Sequence, residues 1–351
     1  MNPTGFIKRA LRDPLSAFRC VRREAPQWAW FLRGIDPARV GYGWGPLTWW
    51  RQRRHRCLDR PVHICLLQPP GAGVFGRVTA FWINERSSCC RASVNEGLER
   101  ADVVWTYCQD PLSEELKGRL RAELRRARPG ARVINHPDSY NCYHEPGVFS
   151  ELARAGVSVP RTEFTEADVG RTMVVYKKLG AHTASKALAP YDGPRPGHRA
   201  FEFVDCREVD GCCRRYRSYY VAGVVWPTVA FFGREWNIYS RTAQGFDYSF
   251  TLTPAEERCL RLIAETLDIQ FFAADHVRRR EDGAPVFLDI NIYPSVVAIF
   301  KPVGRPRDYG LWHAFDSRER FGGTQPAGAP FRERFDQAML ALVGRGKPLM
   351  E

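Results

Sequence analysis

Two short apolar runs in the last quarter of the chain carry polar side chains in a pattern that strongly restricts the fold. The first covers residues 271–275 and ends in Asp275, and the second contains Asp289 and Asn291. An Asp-Gly pair at 282–283 separates them, which predicts a β-hairpin. Side chains alternate along a strand, so Asp289 and Asn291 share a face, and Asp275 can lie beside them. Three converging oxygen donors are typical of a Mg²⁺ site.

This pattern also has a simpler interpretation, because acidic side chains on paired strands usually form only a solvated face. The neighbours of the two polar residues in the second run are apolar, however: Phe287, Leu288, Ile290 and Ile292. Polar groups in such surroundings need partners. We therefore expect a binding site here rather than plain surface.

The segment 61–140 has the pattern of a small parallel α/β unit. Apolar runs at 62–67, 102–107 and 132–135 predict buried strands. Between the second and third runs, Ser113 and the acidic residues after it mark the start of a helix. Strand, helix and strand in this order favour a parallel sheet.

The following segment continues with alternating helix and strand signals. Helices are predicted at 147–155 and from Thr253, where Thr, Pro and Glu form a helix-start sequence. Strands are predicted at 173–177 and 201–204, and a polar loop follows the first of them. Two further runs predict a hairpin that turns near Pro227.

The composition is that of a globular protein of 351 residues, with 44% hydrophobic and 26% charged residues. This balance argues against extensive disorder. No apolar run is long enough to span a bilayer, and residues 1–10 lack the apolar stretch of a secretory signal, so we expect a cytoplasmic protein. The 11 cysteines include no C-x-x-C motif and no zinc spacing, which favours reduced, mostly buried thiols.

Residues 1–60 form a basic, aromatic N-terminal arm. They hold 13 lysines and arginines against four acidic residues, in a chain whose net charge is +13. Five tryptophans accompany this charge: Trp28, Trp30, Trp44, Trp49 and Trp50. The aromatic residues follow no helical period and no nucleic-acid motif is present, so nucleic acid is not expected as a partner. The arm either packs on the protein's own body or recruits an acceptor.

From about residue 133 to 296 the chain resembles the ATP-grasp superfamily, in particular its carboxylate–amine ligases: the ribosomal-protein glutamate ligase, glutathione synthetase and D-alanine–D-alanine ligase. The residues that carry the resemblance occur in order: 135–137 (Asn-His-Pro), 152–162, 174–177 (Val-Val-Tyr-Lys), 202–204 (Glu-Phe-Val), 217–223, Asp275 and 289–294 (Asp-Ile-Asn-Ile-Tyr-Pro). No single motif is specific, whereas the ordered set is. The resemblance implies an α/β chain with α+β lobes. An ATP-grasp fold at 141–305 would be preceded by the small α/β domain at 61–140 and followed by a C-terminal tail with a helix at 306–351.

The resemblance also implies roles for individual residues. The metal, Mg²⁺ or Mn²⁺, would be held between the β- and γ-phosphates of ATP by Asp275, Asp289 and Asn291. The nucleotide would be contacted by a lysine, a phosphate-covering loop and an adenine-and-ribose hinge: Lys177, then Gly180, Thr183 and Ser185, then Glu202, Phe203 and Val204. The catalytic residue would be Arg217, which stabilises negative charge on an acyl phosphate.

The implied function is that of an ATP-dependent ligase, which joins a carboxylate to an amine, or to a thiol, through an acyl phosphate. The partners would be a small-molecule or peptide carboxylate and an amine acceptor, and a homo-oligomer is compatible with this class. Two departures from the family pattern support an alternative, a non-catalytic ATP-grasp protein that binds a nucleotide or a partner. Glu145 stands where many members have their first ATP-binding lysine, and the loop 180–185 has few glycines.

Overall fold

The computed structural model describes residues 60–69, 75–108, 111–140, 147–178, 186–238, 242–292 and 329–345. It also describes the backbone of two short antiparallel strands in the N-terminal arm, β1 (Ile35–Asp36) and β2 (Gly41–Tyr42). The remainder of the arm, Glu145 and the loop 179–185 lie outside these residues.

The helices and strands follow one another along the whole described chain. The further strands are β3 (Val62–Leu67), β4 (Cys90–Val94), β5 (Val103–Thr106), β6 (Arg132–Ile134), β7 (Met173–Lys178), β8 (Lys186–Pro190), β9 (His198–Glu202), β10 (Cys213–Val221), β11 (Val224–Gly233), β12 (Gly245–Asp247), β13 (Phe271–Arg278) and β14 (Pro285–Asn291). The α-helices in the described ranges are α1 (Phe75–Arg86), α2 (Glu114–Leu124), α3 (Val148–Arg154), α4 (Pro254–Thr266) and α5 (Phe331–Leu342).

A parallel sheet in the order β4-β3-β5-β6 forms the first layer. Strands β3 and β5 are almost entirely buried, which is usual for parallel strands covered on both faces. Helix α2 begins at its predicted cap, since Ser113 accepts a hydrogen bond from the N–H of Leu116. Helix α1 and strand β4 lie in a stretch for which the sequence predicts no element, because polar residues interrupt any helical or alternating period there.

A second, antiparallel sheet has the order β12-β11-β10-β13-β14. Helix α4 buries Leu260 and Ile263 against one of its faces. Part of the opposite face packs on the parallel sheet and on α5, where Trp82, Trp226 and Phe331 share a core. The α/β fold class predicted from the sequence is therefore confirmed, with parallel and antiparallel sheets in one chain.

The hairpin between β10 and β11 turns at Ala222 and Gly223, so the predicted turn near Pro227 is wrong. Both turn residues have positive φ, 45° and 93°, which a tight hairpin turn requires if it is to match the twist of its strands. Pro227 lies inside β11 opposite Ser218, next to a shift in register. A bulge of this kind accommodates a strand residue that has no N–H to donate.

A third sheet, in the order β8-β7-β9, is antiparallel and lies over one end of the second. Along β7, Val174 and Tyr176 are buried in a small core of their own, whereas Val175 and Lys177 face the five-stranded sheet. The sequence did not predict strand β8. It directly follows the polar loop, and its short, mixed sequence has no clear period.

Asn135 joins the parallel sheet to the five-stranded sheet. It follows β6 directly, and its φ is 55°. Its Oδ1 accepts hydrogen bonds from the N–H groups of Gln270 and Phe271, and its Nδ2 donates to the carbonyl of Phe271. The start of β13 is thereby fixed to the body of the protein, and β13 carries Asp275.

Candidate functional site

Arg217, Asp275 and Asp289 lie in one row across β10, β13 and β14. Asp275 is the direct partner of Arg217 on one side and of Asp289 on the other. Residues directly opposite each other in antiparallel strands share a face, so the three side chains meet. The turn before β14 contains Gly283 at φ 69°, as its Asp-Gly sequence predicts.

A β-bulge in this hairpin sets which side chains of β14 reach the site. Asp275 pairs with Asp289 but His276 pairs with Phe287, which leaves Leu288 as an extra residue. Leu288 lines a cavity on the same side as Asp289, while Phe287 packs in the core behind the sheet. Bulges often re-aim side chains beside functional sites.

The carboxylate of Asp275 is held by two arginines. Arg217 donates from Nε to Oδ1 at 2.7 Å and from Nη2 to Oδ2 at 2.8 Å, and Arg215 donates from Nη2 to Oδ2. The side chain of Asp275 is completely buried. Burial alone would raise the pKa of Asp275, but Arg215 and Arg217 hold it well below its usual range.

Asp289 is held more loosely than Asp275. Its side chain is 19% exposed, and its nearest cations are Lys177 Nζ at 3.4 Å and Arg215 Nη2 at 3.7 Å. Burial opposes ionisation of this carboxyl and the two cations favour it, with the net result that the pKa of Asp289 is lowered. Asp289 is therefore an anion whose oxygens are still accessible to a ligand.

Asn291 lies two residues further along β14, on the same face as Asp289. Its Nδ2 is buried and makes no hydrogen bond within the described residues. Rotation of the amide group exchanges its nitrogen and its oxygen, so this position can equally present an oxygen donor. Mg²⁺ commonly binds through one or two carboxylates together with substrate phosphates. Asp289 and Asn291 fit such an ion, whereas the oxygens of Asp275 already have partners.

Lys186 is a cation that the sequence interpretation missed. It is the direct partner of Lys177 across β7 and β8, and both lysines line the same cavity as Arg215. Burial, together with the charges of Arg215 and Lys177, lowers the pKa of Lys186 to about 8. Like charges placed directly opposite each other are destabilising. This cluster of cations consequently fits an anionic ligand.

The cavity lies between the three-stranded and five-stranded sheets and encloses about 710 Å³ of space, part of it open to solvent. Three cations of the cluster, Lys177, Lys186 and Arg215, line it. Much of the remaining lining is apolar or aromatic, with Val175, Phe201, Phe203, Trp236, Ile238 and Leu288. The rings of Phe203 and Trp236 meet edge to face, with their centroids 6.1 Å apart. A lining that is mostly apolar with a few convergent polar groups is typical of a small-molecule site.

The three predicted hinge residues, Glu202, Phe203 and Val204, all line this cavity. The N–H groups of Glu202 and Phe203 donate to the carbonyls of Arg161 and Met173. Among the described residues the N–H of Val204 has no such acceptor, so it remains available to a ligand on the apolar wall.

The structure thus brings Lys177 and the predicted hinge residues to one cavity. Asp275 and Asp289 are not in its lining but contact the lining cations Arg215 and Lys177. The predicted loop residues Gly180, Thr183 and Ser185 lie outside the described residues, and their roles stay predictions. The lining residues that were not predicted include Lys186, Arg215 and Trp236. Arg215 could have been found, because it is two residues from Arg217 on the same strand face. The other two carry no local signal.

No helix in the described part of the chain is long and apolar enough to cross a membrane. No protein-family model matches the chain, and no curated protein matches it.

Several solved structures resemble the chain. The ATP-grasp ligase PsnB, complexed with a precursor peptide and AMPPNP, is 13% identical with a TM-score of 0.49, and the match covers 80% of this chain and 97% of that one. A RiPP-associated ATP-grasp ligase from Chryseobacterium gregarium, complexed with ADP and a leader and core peptide, is 11% identical with a TM-score of 0.46, over 82% and 99% of the two chains. D-alanine–D-alanine ligase from Bacillus anthracis, complexed with ATP, is 11% identical with a TM-score of 0.46, over 81% and 98%.

Likeness at these identities and TM-scores assigns neither a family nor a substrate, because one fold hosts many functions. The resemblance of the ordered residues between 133 and 296 to the ATP-grasp superfamily stays a prediction.

Proposed function

We propose that this protein is an ATP-dependent ligase that activates a carboxylate as an acyl phosphate and joins it to an amine, or to a thiol. The observation that carries the proposal is the cavity between the two sheets. Its apolar and aromatic lining suits a base, its lysines and Arg215 suit phosphates, and the loosely held carboxylate of Asp289 lies beside these cations, on the same strand as the unpartnered amide of Asn291.

The base binds against the apolar and aromatic part of the lining. Phe203 and Trp236 supply flat apolar surface for a purine. Val204 also lines the cavity, and its N–H would donate to a ring nitrogen, a main-chain contact that gives a base a fixed orientation. The carboxylate of Glu202, which is 44% exposed, accepts hydrogen bonds from the ribose hydroxyls.

The phosphates bind at three cations of the cavity lining, Lys177, Lys186 and Arg215. Together with Arg217 they make four cations near two carboxylates, those of Asp275 and Asp289. This excess of positive charge favours a polyanion, and arginine and lysine are the usual contacts of phosphate oxygens.

Asp289 and Asn291 would hold the metal. A bound Mg²⁺ would supply Lewis-acid neutralisation of the phosphoryl group as it is transferred. The two side chains come from one strand and are separated by one residue, so they present their oxygens to the same side.

The reaction has two steps. A carboxylate oxygen of the substrate attacks the γ-phosphorus of ATP, the bond to the β-phosphate oxygen breaks, and ADP leaves. An amine then attacks the acyl carbon, loses a proton, and inorganic phosphate leaves. Lys177, Lys186 and Arg215 hold the phosphates in line and neutralise charge during the first step. Arg217 stabilises the oxyanion of the second step, as a preorganised donor does.

A trapping experiment tests this proposal. The full chain is incubated with ATP, Mg²⁺, hydroxylamine and a pool of cell metabolites and peptides. Hydroxylamine converts an acyl phosphate into a stable hydroxamate, whose mass identifies the carboxylate. We expect a hydroxamate that depends on ATP and is absent with Asp289→Ala. Tight ATP binding with no hydroxamate and no ADP formed in any pool would instead favour the non-catalytic alternative.

A further inference from the structure

We infer that Asp275 is a positioning residue that holds Arg215 and Arg217, and that it does not bind the metal. The inference rests on the proposed nucleotide site and deepens it. It divides two adjacent carboxylates between two tasks: Asp289, with Asn291, binds the cation, and Asp275 orients the arginines.

The first observation is that the hydrogen-bonding positions of Asp275 are occupied. Arg217 binds it in a bidentate manner at 2.7 and 2.8 Å, and Arg215 shares the second oxygen. Bidentate guanidinium–carboxylate pairs are the strongest and most directional of the common ion pairs. A metal ion could reach this carboxylate only by displacing at least one guanidinium.

The second observation is burial. Asp275 has no exposed surface, and the side chains of Arg215 and Arg217 are 14% and 27% exposed. Displacing a guanidinium from Asp275 would leave a partly buried cation without its partner and would place it next to a divalent cation. Both changes are unfavourable, because separating a buried ion pair leaves an uncompensated charge.

The neighbouring carboxylate provides the contrast. Asp289 is partly exposed and its nearest cations stand at 3.4 and 3.7 Å, outside ordinary charge-assisted hydrogen-bond distance. Asn291 beside it has an unpartnered amide. These are the donors of the hairpin that can bind a cation without first losing a strong contact.

The third observation concerns what the arginines reach. Arg215 lines the cavity beside Lys177 and Lys186, and its Nη1 also donates to the carbonyl of Ile238 at 3.2 Å. Asp275 and Ile238 therefore hold its guanidinium plane from two sides. A guanidinium fixed in this way is preorganised for phosphate, so it loses less conformational entropy on binding.

The deciding experiment is a crystal structure of the wild-type full chain with AMPPNP and Mn²⁺, in which anomalous scattering locates the metal. We expect the metal on Asp289 and Asn291, with Arg217 still bidentate on Asp275. A metal bound to an oxygen of Asp275 overturns the inference. This measurement needs no variant, so it stands even if Asp275 variants fail to fold.

Two matched variants test in solution whether Asp289 binds the metal and Asp275 does not. Mn²⁺ affinity is measured by electron paramagnetic resonance at saturating AMPPNP. We expect Asp289→Asn to lower the affinity for Mn²⁺ roughly tenfold or more, as loss of a charged contact does. Asp275→Asn should weaken it by no more than about threefold, because only a nearby charge is lost. Equal losses in both variants would contradict the inference.

The positioning role has its own readout, the preference for ADP over AMP without metal. Asp275→Asn alone should lower this preference roughly fivefold. In a protein that already carries Arg215→Met, the same substitution should lower it far less, because the effects of mutations at coupled residues are not additive. An unchanged preference in Asp275→Asn contradicts the positioning role. A wild-type protein that binds no AMPPNP overturns the proposed function itself, whereas metal on Asp275 in a nucleotide-bound structure overturns only this inference.

Discussion

Lys177 and Lys186 are direct cross-strand partners, and both line the cavity. Lys177 lies 3.4 Å from Asp289, whereas among the described residues no carboxylate lies within ion-pair distance of Lys186. Two lysines opposite each other repel. The charges of Arg215 and Lys177 oppose the charge on Lys186, and a bound anion would offset this repulsion.

Replacing Lys186 should change stability and ligand affinity in opposite directions. In Lys186→Met we expect a higher melting temperature, because the repulsion and the burial of a charge are removed. Nucleotide affinity should fall roughly tenfold or more, as expected for loss of a charge-assisted contact. Thermal melting and calorimetric titration with ADP measure the two effects. Lower stability together with unchanged affinity would show that Lys186 is structural.

The exposed Lys178→Met is the matched control for this side chain. It removes the same charge from the end of the same sheet but from outside the cavity lining, and it should leave both measurements nearly unchanged.

Nucleotide binding without metal should depend on pH through Lys186. Its pKa in the free protein is lowered to about 8, by burial first and then by Arg215 and Lys177. Phosphate favours the protonated amine, so binding takes up a proton, and affinity should fall as the pH rises from about 7 to about 9. Calorimetry in two buffers of different ionisation enthalpy measures this uptake. If Lys186→Met takes up the same number of protons as the wild type, another group is responsible.

Lys177 and Lys178 should differ in their effect on nucleotide binding. Lys177 faces the cavity and Lys178 is exposed on the other side of β7. We expect Lys177→Met to raise the ADP dissociation constant roughly tenfold or more, since one phosphate contact is lost. Lys178→Met should have little effect. Equal effects of the two variants, measured by the same titration, would contradict the assigned orientation of β7.

Asp289→Ala should weaken metal-dependent binding and strengthen metal-free binding. The variant lacks the proposed metal ligand, so Mn²⁺ affinity in the presence of nucleotide should fall roughly tenfold or more. It also removes a negative charge beside Lys177 and Arg215, so ADP should bind more tightly in EDTA. Titrations with and without metal measure both signs. Unchanged Mn²⁺ affinity would exclude Asp289 from the metal site.

Asn291→Ala is the matched control for this variant, because it removes a neutral oxygen donor from the same face of β14. It should weaken Mn²⁺ binding and leave the binding of ADP in EDTA unchanged.

Glu256 should stabilise the fold behind the site. It is fully buried, accepts hydrogen bonds from Arg278 at 2.8 and 3.0 Å, and lies 3.0 Å from His276 Nε2. Breaking such a buried pair typically costs about 3–5 kcal/mol, so Glu256→Gln should lower the free energy of unfolding by about this amount. Urea denaturation measures it. The exposed neighbour Glu257→Gln should cost little.

Because of Glu256, we expect the protein to lose stability in acid. Burial opposes ionisation of Glu256, but His276 and Arg278 lower its pKa from 4.5 to about 2. The unfolded chain therefore takes up a proton at a higher pH than the folded chain does. The stabilisation is present above pH 4.5 and is lost as the pH falls towards about 2. Glu256→Gln should lack this part of the pH dependence, and an unchanged profile would assign it to other carboxyls.

Local sequence was sufficient wherever a short segment contains its own signal. Ser113 and Thr253 cap helices α2 and α4 as predicted, because a cap is completed within four residues. The Asp-Gly turn and the alternation along β13 and β14 placed Asp275 beside Asp289. Helix α1 and strands β4 and β8 could not be predicted in this way, because contacts with distant residues stabilise them.

Strand periodicity was sufficient to predict the row of polar residues on β13 and β14. The ordered set of short motifs suggested roles for Glu202 and Lys177, and these roles stay predictions. How the residues combine could not be predicted from any single segment. The bulge that turns Leu288 and Asp289 to one side, the pairing of Lys186 with Lys177, and the two arginines on Asp275 all depend on register between strands far apart in the chain. Register follows from the packing of whole faces, which no single segment encodes.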